Sequence, residues 1–204
     1  MPEHPFVFVG IVALLTITPG ADMAMVARSV FTGGRREAFA TTLGISAGCF
    51  AWACASALGV AAVLAASQTA YDALRLVGAV YLVWLGAQTL LAARTGVAPA
   101  EGAGRAKGNP FRQGLLTNLF NPKIAVFYST FLPQFIAPGD SALAVSMVLA
   151  CMHIALGIAW LSLYAWLLAR AVETFKGSRL RRALDALTGT VLAALGIRLA
   201  AERR

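Results

Sequence analysis

Two short stretches of this sequence set polar side chains beside a helix-breaking proline in otherwise apolar surroundings. The first is Thr18-Pro19-Gly20-Ala21-Asp22, and the second holds Asn118, Asn121, Pro122 and Lys123. Proline removes a backbone donor and clashes with the preceding turn, and Gly20 relaxes the helix further. Backbone groups lose their partners at such a break. In lipid that is tolerable only where the break faces protein or a watery cavity. One break carries an anion, Asp22, and an acid at membrane depth is functional by default. The other carries a cation, Lys123. Together they suit a zwitterion. Asp22 would take the ammonium, and Lys123 the carboxylate, aided by the positive end of the half-helix after Pro122. Asn118 and Asn121 add amides at the second break, and Tyr128 lies close enough along the chain to line the same space. The blander readings are that Asp22 caps a helix starting near Gly20 while Lys123 snorkels, or that the two form a structural bridge.

The elements that must carry these breaks follow from composition. The chain has 204 residues, of which 59% are hydrophobic and only 13% charged. A soluble domain averages roughly 25% charged residues. Too little polar surface remains to cover a water-soluble globule, so a soluble enzyme or binding module is effectively excluded. Apolar runs at 6–27, 38–66, 74–93, 113–136, 141–169 and 183–201 are each long enough to span a bilayer, which takes ~20 helical residues. The alternation of transmembrane strands is missing. The expected fold is an all-α integral membrane protein with six transmembrane helices, helices 1 and 4 being broken at Pro19 and Pro122. The net charge of +8 reports orientation. Twelve basic residues fall in the odd-numbered loops, with Arg28, Arg35 and Arg36 in the first, against four on the other face. This predicts cytoplasmic odd loops and outside termini. Nucleic-acid binding is not expected, because the basic residues lie in short loops.

The chain also divides into similar halves, residues 1–94 and 113–204, joined by a Gly/Ala/Pro-rich linker over 95–112. Each half opens with a proline-broken helix, continues with a long apolar run and closes with a glycine pair, Gly78/Gly86 and Gly189/Gly196. Three spans per half make the second copy inverted relative to the first, which is the sequence pointer to a transporter. The two repeats form a single transmembrane transporter domain.

Other motifs read as packing. Gly44-Ile45-Ser46-Ala47-Gly48 has the letters of a hydrolase nucleophile elbow but lies inside a helix, so Gly44 and Gly48 form a close-packing face. That face could serve a homodimer as well as the monomer core. Ser46 with His153 would be the pair of an intramembrane serine protease, and His153 alone reads first as a hydrogen-bonded interior residue. Cys49, Cys54 and Cys151 show no C-x-x-C spacing and no proline neighbour, against a thiol-redox carrier. A passive channel is the other alternative. No metal site or cofactor is expected.

The chain resembles the LysE/RhtB family of amino-acid exporters. The resemblance rests on Thr18-Pro19-Gly20-Ala21-Asp22, Gly34-Arg35, Asn121-Pro122-Lys123, Phe131-Leu132-Pro133-Gln134-Phe135 and Tyr81-Leu82-Val83-Trp84-Leu85-Gly86. Ala21 and Ala38 depart from the family's proline and glycine. The resemblance implies efflux of an amino acid across a bacterial inner membrane by a multi-pass protein, driven by proton antiport.

Overall fold

The computed structural model describes residues 5–59, 67–95, 108–137, 139–174 and 178–201. Among these the regular elements are all helical. Helix α1 spans Pro5–Ile17, α2 Ala21–Ala57, α3 Gln68–Thr95 and α4 Pro110–Leu119. Helix α5, Pro122–Val126, runs on into a π turn, Phe127–Phe131, and a 3-10 turn, Leu132–Phe135. Helices α6, Ala142–Thr174, and α7, Ser178–Ala201, complete the chain. Asparagine followed by proline starts both α4 and α5. The Asn109 side chain accepts from Phe111 N at 2.9 Å, and Asn121 Oδ1 accepts from Lys123 N at 3.1 Å. Proline in the first turn costs nothing, because its missing N–H would have been unpaired there.

Both expected breaks occur, at residues 18–20 and 120–121. The boundary between the first two apolar runs is different from expectation. Helix α2 continues through it and bends at Gly34, whose φ of 72° and ψ of −162° are open in practice to glycine alone. The segment expected as the first loop, 28–37, is therefore helical, the end of one arm (21–33) and the start of another (35–57), which meet at Gly34. Arg28 is not a loop cation. It is buried in the first arm and donates to Thr89 Oγ1 at 2.9 Å and Gln113 Oε1 at 2.8 Å, so its charge says nothing about orientation. The expected linker lies mostly outside the described residues.

Three apolar clusters hold the helices. One joins α1, the second arm of α2, the α5 segment and α6 through residues such as Phe8, Trp52, Tyr128 and Leu149. A second packs Val26, Val30 and Ile45 on Leu161 and Ala165 of α6. The third packs Met25 on Leu82 and Leu85 of α3 and Leu192 of α7. Backbones touch where glycine allows it. A Cβ on Gly86 would stand 2.7 Å from Gly189 O, and one on Gly196 2.8 Å from Ala79 O, so Gly86, Gly189 and Gly196 pack α3 on α7, whereas a Cβ on Gly78 would meet the Phe120 carbonyl at the second break. A Cβ on Gly44 would collide with the Phe111 carbonyl of α4, and one on Gly48 would lie 2.5 Å from Asn118 Oδ1. The Gly44/Gly48 face is thus used inside the monomer.

Large apolar side chains such as Phe6, Leu14, Val80 and Ile197 point outward. Among the described residues two helices, Ala21–Ala57 and Ala142–Val172, are long and apolar enough to cross a membrane, with shorter apolar helices over Phe6–Ile17, Leu76–Leu91 and Ala186–Ala201.

A Cβ on Gly34 would meet nothing within 4 Å, so Gly34→Ala tests backbone conformation alone. It is expected to cost about 1–3 kcal/mol and to lower the thermal midpoint in detergent. Gly10→Ala, in an equally open helical position, should leave the midpoint unchanged or raise it.

Candidate functional site

Pro19 determines the first half of the site. In a continuous helix the Leu15 carbonyl would accept from the N–H of residue 19, which proline lacks. Thr18 closes α1 by bonding the Leu14 carbonyl through its N–H at 3.0 Å and its hydroxyl at 2.6 Å. The carbonyls of Leu15 and Thr18 are left over. Lys123 supplies them, its Nζ donating to both at 3.1 Å. An ammonium at the C-terminal end of a helix also meets the negative end of its dipole. Lys123 stands in the first turn of α5, at the second break. The cation of one break therefore mends the other, and with three N–H donors it keeps one for a ligand.

Asp22 lies in the first turn of α2, where the free N–H groups favour an anion. Its Oδ2 accepts from Asn118 Nδ2 at 3.1 Å, while its buried Oδ1 has no protein partner. Asn118 is completely buried at the end of α4, pressed against Gly48, and its Nδ2 also lies 3.5 Å from Cys49 Sγ.

Asp22 and Lys123 line one cavity of about 40 Å³, together with Thr16, Thr18 and Gly20 from the first break. That is space for about three waters. Admission of a whole amino acid requires the walls to separate. Ser46 and Cys49 of α2 and His153 and Gly157 of α6 complete the polar and open parts of the wall. Thr16 Oγ1, like Asp22 Oδ1, is buried without a protein partner.

The sequence-predicted residues thus separate into three groups. Thr18, Gly20, Asp22 and Lys123 are on the wall. Asn118 and Asn121 stand behind it, the first holding Asp22 and the second capping α5. Tyr128 is also behind it, fully buried, with its hydroxyl 3.1 Å from His153 Nδ1. Pro19 and Pro122 act through the backbone. Thr16, Ser46, Cys49, His153 and Gly157 are the wall positions that the polar motifs did not nominate as ligand contacts. The helical spacing of Ser46 with Cys49, and of His153 with Gly157, was the available signal.

Residues 13–203 match the family model described as LysE type translocator. The chain belongs to the LysE type translocator family. The translocator is 31% identical over 199 residues to the threonine efflux protein of Escherichia coli (strain K12), covering 96% of this chain and 95% of that protein. It is 29% identical over 190 residues to the homoserine/homoserine lactone efflux protein of Salmonella typhimurium, covering 93% and 92%. An uncharacterized membrane protein of Bacillus subtilis is 26% identical over 201 residues, with 94% and 95% covered. No solved structure matches.

The family is one of translocators rather than enzymes. The Ser46 hydroxyl donates to the Thr42 carbonyl at 2.9 Å, while His153 Nδ1 faces Tyr128, so the two do not form a nucleophile–base pair. Cys49, Cys54 and Cys151 are all free thiols.

Removing the Lys123 ammonium should expose the repair at the first break. Lys123→Met leaves two carbonyls without their charged donor, at an expected cost of about 1–3 kcal/mol. A thermal midpoint in detergent several degrees below wild type checks this, and an unchanged midpoint contradicts it.

Proposed function

We propose that this translocator is a secondary exporter of an amino acid, or of a related small zwitterion, across the bacterial inner membrane, coupled to protons. Six spans arranged as two inverted three-helix repeats would carry it. The proline breaks near residues 19 and 122, the close packing of α3 on α7 through Gly86, Gly189 and Gly196, and the reach of Lys123 from the second break to the first support that arrangement.

One observation carries the substrate reading. Asp22 is held by one oxygen to Asn118 and keeps the other without a protein partner, on the same cavity as an ammonium with a donor to spare. A substrate ammonium would complete Asp22 Oδ1, with Thr16 Oγ1 as a second acceptor, and a substrate carboxylate would take the third N–H of Lys123. Asn118 serves as the positioning residue for Asp22, and Asn121 orders the turn that presents Lys123. Relatives named for threonine and homoserine efflux support an amino acid as cargo. The mended, bendable helix ends are where alternating access would open.

Export of labelled threonine and homoserine from cells or inverted vesicles tests this. Asp22→Asn is expected to abolish export while membrane insertion, checked by immunoblot, is unchanged. Collapsing the proton gradient should prevent accumulation against a concentration gradient by the wild type. Asp22→Asn transporting at the wild-type rate would sink the site assignment.

Gly48→Ala probes the same site from behind. A methyl group there collides with Asn118, so the Asp22 carboxylate loses its orientation. Export is expected to fall at least tenfold, and a normal rate would show that Asn118 does not position Asp22.

A further inference from the structure

Asp22 and Lys123 account for the two charges of a zwitterion and leave its side chain unread. That side chain must face the rest of the cavity wall, which α6 supplies through His153, Ile154, Gly157 and Leu161. Two of these positions have unusual properties. The His153 ring is nearly buried, lies almost parallel to Tyr128 with centroids 5.7 Å apart, and meets the edge of Phe127 at 5.3 Å. Tyr128 is 0% exposed and its hydroxyl lies 3.1 Å from His153 Nδ1. With Nδ1 engaged by Tyr128, Nε2 is the polar atom that the imidazole retains for a ligand. One turn further on, a Cβ at Gly157 would meet nothing within 4 Å, so this is the place where the wall leaves room.

We propose that His153, oriented by Tyr128, reads the substrate side chain, and that Gly157 sets the size of side chain admitted. This rests on the exporter reading above. Ile154 and Leu161 make the rest of the α6 wall apolar, without an acid to meet a basic side chain. The fitting class is a short, neutral side chain with one hydrogen-bonding group. A hydroxyl suits either tautomer of His153, because it both donates and accepts. Tyr128 is then a positioning residue rather than a contact.

Threonine and valine provide the test, since they share a shape and differ by hydroxyl against methyl. The wild type is expected to export threonine in preference to valine. His153→Leu should reduce the threonine-to-valine ratio on the order of tenfold, the worth of a lost hydrogen bond. His153→Gln, which keeps a polar tip, should restore part of it. Tyr128→Phe should lower the ratio while valine export persists. Gly157→Val should cut threonine export while serine, smaller by one methyl, still passes. An unchanged ratio in His153→Leu, or in both Tyr128→Phe and His153→Gln if His153→Leu does not accumulate, overturns the proposal alone. Wild-type protein that exports none of the three, nor homoserine, overturns the exporter reading and this proposal with it.

Discussion

Pro19 leaves the Leu15 carbonyl without its helical donor, and an apolar environment has no water to replace that donor. Lys123 fills the position from more than a hundred residues away, bonding the Leu15 and Thr18 carbonyls at once. Most of the site follows from this repair. It fixes the start of α5 against the end of α1, places an ammonium a short distance from Asp22, and brings the two breaks onto a single cavity. A break mended within its own helix would have left each charge isolated.

The opposite side of the site depends on close approach. Asn118 can hold Asp22 only because Gly48 has no side chain to displace it, and α4 can lie on α2 only because Gly44 gives way to the Phe111 carbonyl. The amide then divides the carboxylate's two oxygens between roles. One is tied to protein and the other is unpartnered at the cavity. Arg28, Thr89 and Gln113 provide a separate polar tie among α2, α3 and α4, further along the first arm of α2. The translocator therefore concentrates its buried polar groups where helices end or cross, and leaves its outer faces to exposed apolar side chains.

Much of this was legible in the residues. A low charge content and long apolar runs required helices in a membrane setting, and two prolines beside an acid and a base marked the breaks. The basic-loop argument failed at Arg28 for a clear physical reason. A guanidinium can be buried when hydrogen-bonding groups meet it, and Thr89 and Gln113 come from distant helices that a loop count does not see. Tyr128 was likewise near Lys123 along the chain, yet the π turn after Val126 carries it behind His153 instead of onto the wall. Ser46 and His153 do share the cavity, but the Ser46 hydroxyl bonds the Thr42 carbonyl and His153 Nδ1 faces Tyr128, so neither is bonded to the other.

Sequence by itself determined where the helices break, which charges sit at the breaks, and that the chain resembles a family of exporters. Those properties are local: proline lacks a donor wherever it stands, and an ionisable residue in an apolar run is costly wherever the run lies. Only the tertiary structure decided what each charge does. It spends two of the three Lys123 donors on the backbone at the end of α1, assigns one Asp22 oxygen to Asn118, and turns Tyr128 into a support for His153. Such assignments depend on which helix ends meet, and that is settled by glycine-permitted packing between segments far apart in the chain.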